Sequence, residues 1–375
     1  MPADEVSPDD SLGLQNQVDP ESAVTIALNR IRSLEAELVA KERVIRGLDQ
    51  AARERLALIN RLTGRGEAAG HGGVGALTPV QENQDPQLEH ADPTSKADGR
   101  LLTLLGDRAP GVRVVDVGAL FGALPMLYAP LLKIQGTEVI GFEPLRAECD
   151  RLNGLFGPRH KFLPYAVGDG RKSLFYRTQF INCSSLLEPD LKLMSHFQNL
   201  ADFCRPVATS EMITVRLDDV PEARGADYIK IDVQGAEDQV LAGAHLCLDS
   251  VLALQTEIEF LPIYKGQPLF GDLDATLRSR GFMFHRFTNL EGRTLLDSGF
   301  VDGETCRSQQ LFGDAMYIRP IDSWGDLTSD RVLKLALILD SLCGSRDFCA
   351  SLLQVYDRRE GTDLFHEYID GARGT

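Results

Sequence analysis

The stretch from residue 112 to residue 122 constrains the fold more strongly than any other part of this sequence. It reads Val-Arg-Val-Val-Asp-Val-Gly-Ala-Leu-Phe-Gly, a β-branched apolar run followed by two glycines. Such a run is typical of a strand buried on both faces of a parallel sheet. Asp116 stands near the expected strand end, and Gly118 and Gly122 bracket the following turn. Because Leu124 to Lys133 is apolar at helical spacing, the stretch predicts the strand, turn and helix of a nucleotide-binding unit.

The spacing of the acid and the glycines indicates which nucleotide this unit binds. The acid precedes the first glycine by two positions and three residues separate the glycines, unlike the dinucleotide pattern G-x-G-x-x-G. Asp116 can bind a positive amino group, and the bare backbone of Gly118 lets a ligand lie close to the turn. S-adenosylmethionine fits both contacts, so we predict this cofactor, bound by Asp116, Gly118 and Gly122.

The next two apolar segments supply further contacts for the cofactor. The first of them predicts a strand that ends at Glu143, 27 positions after Asp116. This separation is close to the one at which a nucleotide-binding fold places its ribose-binding carboxylate, so we expect Glu143 to accept hydrogen bonds from the ribose. The second predicts a strand over 161–167, and the adenine ring is expected beside its end, near Ala166 and Val167.

Strands that alternate with helices imply an α/β fold with a parallel sheet wound on both faces. Further strands are predicted at residues 173–177, 211–217, 227–231, 251–259, 282–287 and 315–319, and helices begin near residues 145, 189 and 237. Ligands of such sheets bind at the carboxyl ends of the strands. Four acids are therefore expected at one rim: Asp116, Glu143, Asp232 and Glu257. Lys230 is expected to bury its stem and to pair with an acid.

Composition excludes several classes of protein. The net charge of -16 argues against a nucleic-acid partner held through its phosphates. Seven cysteines without C-x-x-C spacing indicate reduced thiols in a cytoplasmic protein rather than a disulfide framework or a zinc site. We find no apolar run long enough to span a membrane and no secretion signal in the acidic N-terminus. No pair of histidines has ligand spacing, so no metal site is predicted, and a metal would depend on carboxylates alone.

The chain outside the sheet divides into four further segments. Residues 1–20 are polar and predict a disordered tail, and residues 64–98 are rich in Gly, Pro, Gln and Asp and predict a flexible linker. Residues 21–63 carry about five heptads with β-branched residues at one seam position and leucine at the other, which favours a parallel coiled-coil homodimer. A single amphipathic helix lying on the globular domain is the alternative. Residues 321–375 predict a helical extension that packs on the domain or binds a partner.

Five segments carry a resemblance to a known family. They are Val115-Asp-Val-Gly-Ala-Leu-Phe-Gly122, Gly141-Phe-Glu-Pro144, Ser184-Ser-Leu-Leu187, Leu217-Asp-Asp-Val220 and, most distinctively, Asp227-Tyr-Ile-Lys-Ile-Asp-Val-Gln-Gly-Ala-Glu237. In order and spacing they resemble the FkbM-type family of S-adenosylmethionine-dependent O-methyltransferases across roughly residues 100–320. The resemblance implies a Rossmann-like class I methyltransferase domain over residues 99–320, with a seven-stranded sheet whose last strand is antiparallel. It also implies methylation of a hydroxyl, commonly on a sugar or a polyketide.

Methyl transfer to a hydroxyl needs a base within hydrogen-bond reach of the acceptor. Asp232 is the first candidate for this base and Glu237 the second, and Glu257 is expected to orient the acceptor. Ser184 and Ser185 are candidate acceptor contacts. The chain departs from the family at two positions. Leu120 stands where the family often has Asn, and Gln234 stands where it often has Glu. The neutral amide of Gln234 cannot act as a base.

Each candidate also has a purely structural explanation. Asp116 could cap a helix, Glu143 could be a turn acid, Glu237 could complement a helix dipole, and the two serines could be ordinary loop residues. At the level of function, the main hypothesis is methylation of a sugar or glycan hydroxyl. The alternatives are a polyketide or small-molecule O-methyltransferase, a coiled-coil interaction protein with a vestigial methyltransferase domain, and a nicotinamide-dependent oxidoreductase, which the glycine spacing disfavours.

Overall fold

A computed structural model of the chain describes residues 99–119, 127–300 and 308–373. The predicted tail (1–20), coiled coil (21–63) and linker (64–98) lie outside the described residues, as do Leu120 and Gly122. The coiled-coil homodimer therefore stays a prediction. Among the described residues, no helix combines the length and apolar character needed to cross a bilayer.

A seven-stranded, mostly parallel sheet forms the centre of the domain, as predicted. Its strands run in the order β3-β2-β1-β6-β7-β9-β8, and β9 is antiparallel to both its neighbours. A separate antiparallel pair, β4 and β5, lies outside this sheet. The strands are β1 Arg113–Val117, β2 Glu138–Phe142, β3 His160–Leu163, β4 Lys172–Thr178, β5 Pro206–Ile213, β6 Tyr228–Ile231, β7 Ala253–Glu259, β8 Met283–Gly292 and β9 Gln310–Ile318.

Both faces of the sheet are covered, because successive strand residues point to opposite faces. Val115 and Ile229 belong to one buried cluster, and Val114 and Tyr228 belong to the other, which includes the C-terminal helices. The predicted C-terminal helical segment thus packs on the sheet. The α-helices are α1 Arg100–Leu105, α2 Arg146–Leu155, α3 Leu191–Met194, α4 Leu200–Phe203, α5 Glu237–Ala242, α6 His245–Ser250, α7 Phe270–Ser279, α8 Ser329–Ile338, α9 Arg346–Glu360 and α10 Leu364–Arg373.

Three predicted elements differ from the structure. The third strand ends at Leu163 because Pro164 follows and cannot donate to a strand ladder. The strand predicted over 211–217 is instead β5, which ends at Ile213. In the described part of the helix predicted after the glycine turn, the chain forms only a short 3-10 helix, Ala129–Lys133, where Pro130 restricts the preceding residue.

Candidate active site

A cleft of about 340 Å³ opens where β1, β2 and β6 end at their carboxyl sides. This is the edge at which parallel sheets bind their ligands, and the volume lies within the usual range for small-molecule pockets. Most of the predicted site residues line the cleft: Gly118, Glu143, Ala166, Val167, Ser184, Ser185, Asp232 and Glu257. Asp116 and Glu237 are not among the lining residues, and Gly122 lies outside the described part of the chain.

Gly118 allows the turn after β1 to touch the turn after β6. Its φ is +81°, a left-handed conformation that other residues adopt at a cost. A Cβ placed on Gly118 would lie 1.9 Å from the carbonyl oxygen of Asp232. The two strand ends are joined by the Asp232 amide, which donates to the Val117 carbonyl at 3.0 Å. The glycine therefore allows the chain at the ends of β1 and β6 to lie in contact.

Replacing Gly118 with alanine is expected to cost roughly 1–3 kcal/mol of folding stability from backbone strain alone, and to weaken cofactor binding as the two turns separate. Gly154→Ala is the matched control, because Gly154 lies in helix α2 and a Cβ there meets nothing within 4 Å. That variant is expected to gain about 0.5–1 kcal/mol. Urea unfolding and calorimetry with S-adenosylmethionine measure both effects, and equal stability for the two variants would contradict this role of Gly118.

Glu143 ends the second strand at the cleft wall. It is only 4% exposed, and one carboxylate oxygen accepts the Leu145 amide at 2.7 Å. Burial raises the pKa of Glu143 to about 7, although the Leu145 amide opposes the rise. The second oxygen remains available for a ligand hydroxyl. Glu143 therefore does act as a turn acid through the Leu145 amide. Its other oxygen could still make the predicted ribose contact.

Lys230 lies between Asp116 and Asp232, the acids at the ends of β1 and β6. These two strands are neighbours in the sheet. The Lys230 Nζ lies 3.1 Å from Asp232 Oδ2 and 3.6 Å from Asp116 Oδ1, so the lysine pairs with two acids where one was expected. Asp116 is 4% exposed and accepts a hydrogen bond from the Tyr128 hydroxyl at 2.8 Å. Burial raises the pKa of Asp116, while Lys230 and Tyr128 lower it. Direct contact of Asp116 with the cofactor stays a prediction, because the carboxylate lies below the cleft surface.

Asp232 is the acid best placed for chemistry in the cleft. Its side chain is 34% exposed, in contrast to the buried Asp116. Burial opposes ionisation of Asp232, but Lys230 and the Gln234 amide outweigh this effect and lower its pKa. The carboxylate is therefore ionised at neutral pH and can accept a proton from an acceptor hydroxyl.

Gln234 also lines the cleft, and its contacts were not predicted. Its Nε2 donates to Asp232 Oδ1 at 2.9 Å and to Glu257 Oε2 at 2.7 Å, so one amide bridges the two acids. Its φ is +60°, and its carbonyl accepts the Ser185 hydroxyl at 2.7 Å. Ser185 therefore holds the turn. The sequence marked Gln234 as a departure from the family, but these contacts depend on a turn conformation that spacing does not give.

The remaining predicted residues have mainly structural contacts. Ser184 Oγ accepts the Thr178 amide at 3.1 Å and lies 3.3 Å from the Thr178 hydroxyl. Glu237 is fully buried, and its Oε1 accepts the amides of Val233 at 2.9 Å and Gly235 at 3.3 Å. Burial raises the pKa of Glu237 to about 7. Other cleft-lining residues that the sequence did not single out are Tyr165, Phe175, Ile181, Asn182 and Phe312.

One comparison with known proteins finds a family match over the segment that forms this site. Residues 116–284 match the family model described as the methyltransferase FkbM domain. These residues include the end of β1 and the whole of β2 and β6, whose ends form the cleft. No curated protein matches the sequence.

Several solved structures show weak similarity to the chain. An S-adenosylmethionine-dependent methyltransferase from Mesorhizobium loti is 11% identical with a TM-score of 0.30, covering 60% of this chain and 99% of its own. The precorrin-6y C5,15-methyltransferase from Geobacter metallireducens is 11% identical with a TM-score of 0.29, covering 59% of this chain and 87% of its own. The N-terminal domain of EvdMO1, solved with S-adenosylhomocysteine and D-fucose, is 12% identical with a TM-score of 0.29, covering 62% and 84%. Sequence identities and TM-scores this low support no argument about the function of the present chain.

Proposed function

Since the chain carries an FkbM methyltransferase domain with S-adenosylmethionine as its cofactor, we propose that it methylates a hydroxyl of a sugar or glycan. The observation that carries this proposal is the position of Asp232. An ionised, partly exposed carboxylate lies in the same cleft as Gly118 and Glu143, the predicted cofactor contacts. A donor held by the β1 and β2 ends would place its methyl group toward the end of β6.

The proposed reaction is an in-line displacement at the methyl carbon. The acceptor oxygen forms a bond to that carbon while the carbon–sulfur bond breaks, and the sulfonium becomes a neutral thioether. The hydroxyl proton passes to Asp232, which starts as a carboxylate. Holding the reacting atoms about 3–3.5 Å apart and aligned supplies much of the rate enhancement. The Asp232 carboxylate is held by Lys230 at one oxygen and by the Gln234 amide at the other.

Beyond the predicted cofactor contacts, the cleft lining combines polar and apolar groups. Asn182 and Glu257 offer hydrogen-bond partners, whereas Phe175, Ile181 and Phe312 offer apolar surface. A sugar ring presents both kinds of surface, with hydroxyls at its rim and C–H groups on its faces. The apolar side chains also suit the runner-up, a polyketide or another small molecule with an isolated hydroxyl.

Cofactor affinity is expected to depend on pH through Glu143. Because its pKa is raised to about 7, the carboxylate is mostly protonated at pH 6 and mostly ionised at pH 8. The ionised form can accept from both ribose hydroxyls, so affinity for S-adenosylmethionine is expected to rise roughly tenfold over this interval. Calorimetry with the wild type and Glu143→Gln checks this. The variant should bind weakly with no such rise, and a wild-type affinity that falls with pH would show that Glu143 does not bind the ribose.

An acceptor screen tests the proposed function. The full chain is incubated with S-adenosylmethionine and free sugars, glycosides or nucleotide sugars, with polyketide alcohols as a second panel. Mass spectrometry then measures S-adenosylhomocysteine and the methyl ether together. A sugar methyl ether supports the proposal, and transfer confined to the second panel supports the runner-up. Cofactor binding without transfer to any hydroxyl would favour a vestigial domain that serves an interaction protein.

A further inference from the structure

A second group of acids lies next to the Gln234 turn, and of its three members only Glu257 also lines the cleft. Glu257 and Glu259 are two positions apart on β7 and point to the same side of the strand. Glu237 begins helix α5, directly after the turn that follows β6. One carboxylate oxygen from each of the three glutamates lies within 4.8 Å of the other two. Two separate elements therefore bring three carboxylates to one point.

Two of these carboxylates have oxygens that the protein leaves unsatisfied. Glu237 and Glu259 are 0% and 1% exposed, and the Oε2 atom of each is buried without a hydrogen-bond partner among the described residues. The other oxygen of Glu237 is fixed by two backbone amides, which hold this carboxylate in one orientation. Buried carboxylate oxygens are normally paired or bound to a metal, so two such oxygens in one cluster of acids are suited to bind a cation.

The protein supplies little positive charge to this cluster. Lys230 is engaged by Asp116 and Asp232. In the described part of the chain, no lysine or arginine forms an ion pair with Glu237, Glu257 or Glu259. Burial raises the pKa of Glu257 and Glu259, and the neighbouring carboxylates raise them further. Glu237 and Glu259 are buried and Glu257 is half-buried. Ionised carboxylates at this spacing repel one another, and a bound cation would remove most of that cost.

We propose that Glu237, Glu257 and Glu259 form a binding site for one hard divalent cation of the Ca²⁺, Mn²⁺ or Mg²⁺ class. All three donors are carboxylate oxygens, the ligands that these ions prefer. Opposite ligands of Ca²⁺ lie roughly 4.6–5.2 Å apart, so oxygens within 4.8 Å of one another can bind one ion with little movement. Glu257 also lines the cleft and gives the ion a path from solvent. This site differs from the sequence-based prediction of no metal, and it does not depend on the identity of the acceptor.

The cation is expected to connect with the reaction site through one hydrogen-bonded chain. Glu257 accepts from Gln234, and the same amide donates to Asp232. A metal that fixes Glu257 would therefore fix the orientation of Gln234 and, through it, of Asp232. We assign the three glutamates a positioning role toward the base, with no contact between the ion and the reacting atoms required.

Direct binding to the full chain tests the site. After treatment with EDTA and dialysis, the protein is titrated calorimetrically with CaCl₂, MnCl₂ or MgCl₂, and its thermal unfolding is followed with and without each ion. We expect one saturable site and an increase in unfolding temperature for at least one ion. Glu237→Gln and Glu259→Gln are expected to weaken binding by at least roughly tenfold. Glu222→Gln, which alters a surface ion pair with Lys161, is the matched control and should bind like the wild type.

The two variants also separate loss of the site from loss of the fold. Without metal, each glutamine variant is expected to be at least as stable as the wild type, because one of the three mutually repelling acids is gone. The increase in unfolding temperature that the ion causes in the wild type should disappear. S-adenosylmethionine binding is measured in the same samples, so that a defect of the cofactor site is seen independently. No binding of any ion by the wild type would overturn the proposal. Equal binding by the wild type and both glutamine variants would overturn it too, since the ion would then be bound elsewhere.

Discussion

Asp232→Asn is expected to lower kcat by roughly 10²- to 10⁴-fold while the dissociation constant of S-adenosylmethionine changes by only a few fold. This is the range by which a positioned general base accelerates a reaction. Asparagine has nearly the same shape and can keep the hydrogen bond from Gln234, but it cannot accept the acceptor proton. The predicted loss therefore falls on turnover. Steady-state kinetics with the acceptor found in the screen, together with calorimetry for the cofactor, measure the two quantities separately.

The control for this variant is Asp150→Asn on helix α2, where the aspartate forms an exposed i,i+4 pair with Arg146. It makes the same chemical change away from the cleft and should leave kcat unaltered. If Asp232→Asn turned over as fast as the wild type, Asp232 would not be the base. If it lost cofactor affinity as well as turnover, its main role would be to shape the cofactor site.

Lys230→Met is expected to destabilise the fold by roughly 3–5 kcal/mol, the usual effect of removing one partner from a buried ion pair. Lys230 is only 12% exposed and is shared by Asp116 below the cleft surface and Asp232 at that surface, so its loss leaves both carboxylates without their cation. Methionine fills a similar volume, which makes the lost charge the main change. Urea unfolding at neutral pH measures the effect.

Lys161→Met is the matched control, because Lys161 pairs with Glu222 on the surface and is 54% exposed. Exposed pairs contribute little, so this variant should unfold close to the wild-type midpoint. Similar unfolding midpoints for Lys230→Met and the wild type would mean that the two acids are neutral in the fold. The proposed ionised state of Asp232 would then be wrong.

The sheet was predictable because burial on both faces leaves a strong sequence signal. The apolar run before Asp116 and the one before Asp232 both became central strands, and these strands are neighbours as the order of motifs implied. The end of the third strand was not predicted, because Pro164 acts on a ladder whose register the sequence does not state. The bounds of β5 were not predicted either. Most of its side chains are exposed, so the apolar pattern on which the prediction relied is weak there.

The candidate site was predictable in its acids but not in the contacts between them. The strand ends predicted one shared rim for Glu143 and Asp232, and both residues line the cleft. Asp116 is buried and accepts a hydrogen bond from the Tyr128 hydroxyl, a contact between residues 12 positions apart that the sequence pattern does not predict. The meeting of Glu237 with β7 follows from the positive φ angles of Gln234 and Gly235, +60° and +94°. Contacts that depend on turn conformations such as these cannot be read from residue spacing.

The central claim is that one cleft holds the methyl donor against the β1 and β2 ends with its sulfonium directed toward Asp232. A crystal structure of the full chain with S-adenosylhomocysteine tests it most directly. The claim predicts ribose hydroxyls in hydrogen-bond contact with Glu143 and a sulfur atom within roughly 8 Å of the Asp232 carboxylate, which leaves room for one methyl group and one acceptor oxygen. A nucleoside bound away from Glu143, or a sulfur directed away from Asp232, would contradict it.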